Sequence, residues 1–258
     1  MGDNHWDTKV TDVGPNKVMV RGYRIDELMG RVSFAQAIWL ILMGELPDEK
    51  LTKLLEVIFV SSIDHGASPP SCLAARTVAS TGASLSASVA AGIMSINRHH
   101  GGAIEDCFRA LEQGLEIMKR DGVSFDEAAS KLLAEFREKK KRIAGFGHRL
   151  HTSDPRTVKL VKTCEEMGYV GDHLRMAQAI ERDFERSGKP LPLNVDGALG
   201  AILGDLGVPS MMMNGFFMVA RVPGLLAHVY EELTEQKPMR KIDPSDYGYT
   251  GEAERHVK

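Results

Sequence analysis

Residues 71–98 read SCLAARTVASTGASLSASVAAGIMSINR, a stretch dominated by Ala, Ser and Gly. Side chains this small give a helix little bulk to hold a neighbour away and little charge to solvate it. The segment therefore predicts central helices whose backbones approach others closely; a surface helix would carry more Lys and Glu. A chain with such a centre must supply apolar helices to surround it.

The flanking sequence meets that demand. Ser33 caps FAQAIWLILMGEL, which ends near Gly44. Pro47 and Asp48 open a helix, DEKLTKLLEVIFVSSI, apolar at three- and four-residue spacing. Pro69 and Pro70 predict a loop, and His99-His100-Gly101-Gly102 a turn. Residues 103–118 and 125–141 read as amphipathic helices split at Asp121-Gly122. A helix from Asp154 to Met167 closes at Gly168, Asp172 is expected to cap the next, and another runs from about Asp196 to Leu206. Pro209 opens a long apolar segment, interrupted at Pro223, and the tail is polar and irregular. The one β stretch is TKVTDVGPNKVMVRGYRI, a hairpin about Gly14-Pro15-Asn16. With no strand–helix alternation, the expected class is all-α. The more surface-like helices of 104–206 form a smaller domain, set between 1–103 and 207–258 of a larger one.

Composition excludes several functions. At 43% hydrophobic and 26% charged residues the chain can build a core, and its net charge of −3 gives no global cationic field for nucleic acid or an anionic membrane. Cys72, Cys107 and Cys164 are far apart and odd in number, with no CxxC, which argues against a disulfide frame or a cysteine zinc site. The start, MGDNHWDTK, is polar and lacks an h-region, and apolar runs such as residues 216–220 are too short to span a bilayer. A cytoplasmic chain with no membrane partner is expected.

Chemistry concentrates at a few positions. In GFGHRLHTSDPR (145–156), Gly145 and Gly147 strip side chains from a loop that a ligand or another backbone must approach. Asp154 fits an N-cap and Pro155 the first helical position, which puts Arg156 in the first turn. A cation there opposes the helix dipole by up to ~1 kcal/mol. It is either a surface arginine or half of an anion site shared with free backbone N–H groups. Arg221, in FFMVARVPGLLAH, is a guanidinium in apolar surroundings; it takes a structural partner, snorkels, or meets a ligand anion. His100 and His65 each follow a helix, where a histidine serves as a cap or as a catalyst. Asp196, in LPLNVDG, is either a plain N-cap or a carboxylate whose pKa an apolar cleft raises toward that of a useful base. No HExxH, His-x-His, GxxxxGK[ST] or GxGxxG occurs, so no metal, phosphate-loop or dinucleotide site is expected.

Together these positions resemble the citrate synthase superfamily. GYRIDELMGRVSFAQAIWLILMGELP is similar to that family's GYxIxEL…SFxExxxLLxxGELP, HHGGA to its HGGA, and GFGHR…DPR to its GxGHRxxxxxDPR. LNVDGALG is similar to NVDxxxG, and VARVPGLLAHVYEE to the segment with an arginine before GxxAHxxE. Five motifs in one order cover most of the chain. The short length, MGRVSF, IDHG and NVDGALG are closer to citryl-CoA lyases and to the C-terminal module of ATP-citrate lyase, although that module usually has an aromatic at the place of His100. The run from His148 to Arg156 is one residue shorter than in ordinary synthases.

The resemblance implies an all-α citrate synthase-like fold, a large and a small domain in an obligate dimer. It implies catalytic roles for His100, His148 and Asp196, and carboxylate binding by His65, Arg156, Arg221 and, from the neighbouring subunit, Arg240. It implies coenzyme A contacts at Ile143, Gly145, Gly147 and Asn194, with Arg149 near a coenzyme A phosphate. No cofactor is bound; the coenzyme A thioester is the substrate. The expected reaction is reversible cleavage of citryl-CoA to acetyl-CoA and oxaloacetate. The alternatives are a synthase-type condensation of an acyl-CoA with oxaloacetate, a homologue that binds coenzyme A or carboxylates without turnover, and a purely structural helical protein.

Overall fold

The computed structural model describes residues 7–147, 153–241 and 244–257. The described residues are mostly helical, as expected. β1 (Thr11–Gly14), β2 (Lys17–Val20) and β3 (Tyr23–Arg24) form an antiparallel sheet in the order β1-β2-β3. The hairpin thus carries a third strand, entered through Arg21 and Gly22, both at positive φ. The helices are α1 (Ile25–Leu28), α2 (Phe34–Met43), α3 (Glu49–Ser61), α4 (Pro70–Ser80), α5 (Leu85–Met94), α6 (Ala103–Asp121), α7 (Phe125–Glu138), α8 (Pro155–Met167), α9 (Asp172–Arg186), α10 (Val195–Asp205) and α11 (Ser210–Glu235).

Most boundaries follow from local chemistry. Ser33 and Gln36 form a capping box on α2, and Asp48 and Ser124 cap α3 and α7. Three boundaries differ from expectation. Pro70 starts α4 rather than extending the loop, because a proline at the first helical position gives up only a donor that had no partner. α11 runs unbroken through Pro223; packing on either side of the ring outweighs its penalty of ~3 kcal/mol. Read as one helix, α11 is long and apolar enough to cross a membrane by length and composition, although Met213, Phe216, Phe217 and Ala220 on it are buried in the protein. Finally, Asp172 does not cap α9. The carboxylate of Asp205, from the end of α10, accepts hydrogen bonds from the backbone N–H groups of Gly171, His173 and Leu174 at 3.0, 2.9 and 3.1 Å.

The chain divides into two compact units, residues 1–64 with 96–221 and residues 65–95 with 222–258. In the first, the buried core runs from Trp39, Leu54 and Leu55 through Leu111, Leu132 and Ile180 to Ile202 and Phe216. Helices α6, α7, α9 and α10 pack on one another. In the second, α4 lies against α5, and Cys72, Ala75, Ala79, Leu225 and Val229 form the core. A Cβ added to Gly92 would lie 2.9 Å from the Ser71 carbonyl oxygen and 3.1 Å from the Ala75 Cβ, so the backbones approach as the small-residue stretch requires. The opposite side of α5 is open in the single chain, with Leu85 and Met94 exposed. Arg76 and Arg240 both bind the buried Glu232 carboxylate. Burial acts to raise its pKa, and the two guanidinium groups outweigh that and hold it below the usual range.

The capping carboxylate of Asp205 also holds a histidine. His173 Nδ1 lies 2.9 Å from Asp205 Oδ1, and Nε2 bonds Glu112 of α6. Burial opposes a charge on this ring, but the two carboxylates prevail and its pKa is raised. A raised histidine pKa stabilises the fold fully below the unfolded value of about 6.5, and that contribution is lost as pH rises through the folded value. His173→Gln should therefore lose roughly 1.5–3 kcal/mol of stability at pH 6. It should lose less at pH 8.5, as urea denaturation across that range would reveal. Equal losses at both pH values would show that the ring carries no charge.

Candidate active site

The first unit brings together residues from four places in the sequence. The turn before α6 supplies His100. It is tied by backbone bonds from the N–H groups of His100 and Gly102 to the Asn97 carbonyl, at 2.8 and 3.0 Å. Gly101 in this turn has φ +84°, and a Cβ there would strike Ile96 and Phe217. The His100 ring stands edge-on to Phe217, with centroids 5.9 Å apart.

Arg221 is buried, 3% exposed, one turn beyond Phe217 on α11. Its Nε donates to the Ser62 carbonyl at 2.9 Å, and its guanidinium carbon lies 4.7 Å from the Phe217 ring centroid. It does not snorkel. Burial, and then the charge of Arg221, lowers the pKa of His100, which favours a neutral imidazole.

α10 supplies Asp196. The N-cap is Asn194, whose Oδ1 accepts from the Gly197 N–H at 3.0 Å, so the plain-cap reading of Asp196 is excluded. Burial pushes the Asp196 carboxyl up, while Arg156 and Arg221 pull it down and Asp154 adds to the rise. Arg221 thus acts on both His100 and Asp196. Asp154 caps α8 as expected and also grips Arg156, whose Nε and Nη2 donate to its carboxylate at 3.0 and 2.6 Å. Arg156 is therefore not a loose surface cation; its fork is oriented by a buried carboxylate.

The glycine loop is held against the start of α10. The Gly145 carbonyl accepts from the Asn194 N–H at 3.0 Å, Gly147 N–H donates to the Pro192 carbonyl at 2.7 Å, and Asn194 Nδ2 donates to the Gly147 carbonyl at 2.8 Å. Ile143 and Gly147 line a cavity of about 610 Å³ together with Arg137, Lys141, Arg142 and Phe146. The sequence motifs do not point to these three cations. Within REKKKRIAG (137–145) they resemble a solvated surface run, and only the fold turns them toward a common cavity. His148 and Arg149 lie outside the described residues. His65 and Arg240 belong to the second unit, where Arg240 bonds Glu232 of its own chain. Among the described residues no three His, Cys, Asp or Glu side chains are grouped to hold a metal ion.

Comparison with known proteins identifies the family of the chain. The family model for the citrate synthase C-terminal domain matches residues 47–242. The solved citryl-CoA lyase from Hydrogenobacter thermophilus is 42% identical, with a TM-score of 0.89 over 98% of this chain and 97% of that one. The citrate synthase of Heyndrickxia coagulans is 30% identical over 78% of this chain and 52% of its own length. ATP citrate lyase from Methanosaeta concilii, solved with (3S)-citryl-CoA, shares the fold at 19% identity and a TM-score of 0.82, over 98% of this chain and 43% of that one. The chain spans about half the length, or less, of the curated relatives it matches. With five motifs in the family's order, a partly buried Asp196 carboxyl under the fields of Arg156 and Arg221, and a family model that covers residues 47–242, this chain belongs to the citrate synthase family.

Proposed function

We propose that the chain is a citryl-CoA lyase, cleaving citryl-CoA reversibly to acetyl-CoA and oxaloacetate. The observation that carries the reading is the Asp196 carboxyl, raised by burial yet flanked by Arg156 and Arg221, with His100 under the same Arg221 field. The likeness to the Hydrogenobacter thermophilus enzyme over nearly the whole of both chains supports the lyase over a synthase.

In this reading His148 takes the proton of the tertiary hydroxyl as the carbon–carbon bond breaks. The bonding electrons enter the thioester carbonyl and form an enolate. His100, kept neutral, donates a hydrogen bond to the enolate oxygen, contributing ~3 kcal/mol in the manner of an oxyanion-hole donor. Asp196 delivers a proton to the enolate carbon, and the raised pKa suits that step. Arg156 and Arg221 hold carboxylates of the substrate. The coenzyme A portion enters along the 145–147 loop and the cavity with Arg137, Lys141 and Arg142, and the family resemblance assigns a coenzyme A phosphate to Arg149. The thioester is substrate, and the steps as written call on no resident cofactor.

We place the chemistry in a dimer, with His65 and the partner's Arg240 completing carboxylate binding. The exposed apolar side chains of the second unit, Leu73, Leu85, Met94 and Tyr230, support a self-association surface. Residues 104–206 lie wholly within the first of the two compact units, and in this reading they act as a smaller, closing domain inside it.

A coupled assay tests the reaction. Citryl-CoA is supplied, and oxaloacetate is followed with malate dehydrogenase and NADH. Oxaloacetate release is the expected result, and His148→Ala should reduce it by about 10²–10⁴. Folded protein that gives no signal overturns the reading. Rapid thiol release from acetyl-CoA plus oxaloacetate, without cleavage of citryl-CoA, replaces it with the synthase.

A further inference from the structure

Three elements of the site meet at one small side chain. Cys107 is fully buried on α6, one turn beyond the end of the His100 turn. A Cβ built on Gly145, which sits at φ +86°, would lie 2.5 Å from the Cys107 sulfur and 2.7 Å from the Gly197 Cα. A Cβ on Gly197 would overlap the Gly145 carbonyl. One on Gly200 would lie 2.6 Å from the Ile104 carbonyl oxygen and 3.5 Å from the Cys107 Cβ. The backbones of the 145–147 loop and of α10 are therefore in direct contact with each other and with α6. The sulfur fills the remaining space.

Those three backbones carry the three groups of the proposed reaction. His100 precedes α6, Asp196 precedes Gly197, and His148 follows Gly147 in sequence. We propose that Cys107 is a positioning residue whose volume sets the spacing between the His100 turn, the 145–147 loop and the first turn of α10. The inference rests on the catalytic roles argued above.

The thiol itself is inert. Burial, reinforced by Asp196, pushes its pKa up to about 12, so it acts as a small apolar body and not as a nucleophile. A smaller residue would let the loop and α10 settle toward α6. A larger one would drive them apart, because close-packed interiors transmit such changes. Misplacement by about 1 Å can cost on the order of 10²-fold in rate while binding groups elsewhere are untouched.

The test compares Cys107→Ala and Cys107→Val with the wild type and with Cys164→Ala. Cys164 is another fully buried cysteine, on α8, and controls for loss of core packing. Each variant is assayed for kcat, for KM with citryl-CoA, for the pH profile of kcat, and for melting temperature. Cys107→Ala should reduce kcat at least 10-fold with KM within about 3-fold, and should shift the acidic or basic limb of the profile. Cys164→Ala should lower the melting temperature with kcat and profile kept. If Cys107→Val does not fold, Cys107→Ala decides the matter alone. Folded Cys107→Ala with wild-type kcat and profile overturns the proposal, as does a change that Cys164→Ala reproduces. Wild-type protein inactive toward citryl-CoA overturns the functional reading and this inference together. An active wild type, an inactive Asp196→Asn and an unaltered Cys107→Ala overturn the inference alone.

Discussion

Asp196→Asn should reduce cleavage of citryl-CoA by about 10²–10⁴ and leave the protein at least as stable at neutral pH. Both halves follow from one environment. Burial makes the charged carboxylate unfavourable, and the arginines only partly compensate, so the folded pKa lies above the unfolded one. A carboxyl shifted in that direction detracts from stability as pH rises through its unfolded value and beyond, and the neutral amide is free of that cost. Asparagine keeps the shape and cannot transfer the proton. Kinetics and thermal melting of the same preparation read the two effects separately. A variant that retains its rate removes Asp196 from the reaction, and one that melts well below the wild type assigns it a structural role.

The second large effect belongs to Arg221. Arg221→Leu should raise KM for citryl-CoA by about 30-fold or more, corresponding to at least ~2 kcal/mol lost when one partner of a buried charge pair is truncated. Leucine retains apolar volume beside Phe217, so the fold should tolerate the exchange better than it would alanine. With this cation gone, His100 loses one of the two influences that lower its pKa, and Asp196 loses one of the two arginines that offset its rise. Both pKa values should therefore move upward, carrying the limbs of the pH–rate profile with them. Unchanged KM together with an unchanged profile would falsify the placement of Arg221 at the substrate.

The legible parts of this protein were those written locally. Ser33 and Asp154 cap the helices they are expected to cap, and Asp48 caps the helix it is expected to open, because an N-cap acts within three residues of itself. The small-residue stretch foretold the α4–α5 contact, though not that one side of α5 stays open in a single chain. Two errors share a cause. Asp172 looks like a cap and Pro223 looks like a break, and both local rules yield to groups brought in by tertiary packing. In the site, Arg156 and Arg221 were conspicuous as cations in the wrong surroundings. Their convergence on Asp196 has no local signature and was anticipated through motif order alone. Arg137, Lys141 and Arg142 carry no distinguishing sequence signal, because a basic run on a helix end is ordinarily solvent-facing. The meeting of Gly145, Gly197 and Cys107 joins three distant segments that show nothing unusual one at a time.

The borrowed cap on α9 has a temporal meaning. Gly171 and Asp205 are separated by 34 positions, so a chain emerging from its amino end has the first turn of this helix long before it has the carboxylate that completes it. During that interval three amide groups must rely on water. The beginning of α9 is thus a late-maturing part of the molecule, finished only when the segment bearing Asp196 has been made and has come to rest beside it.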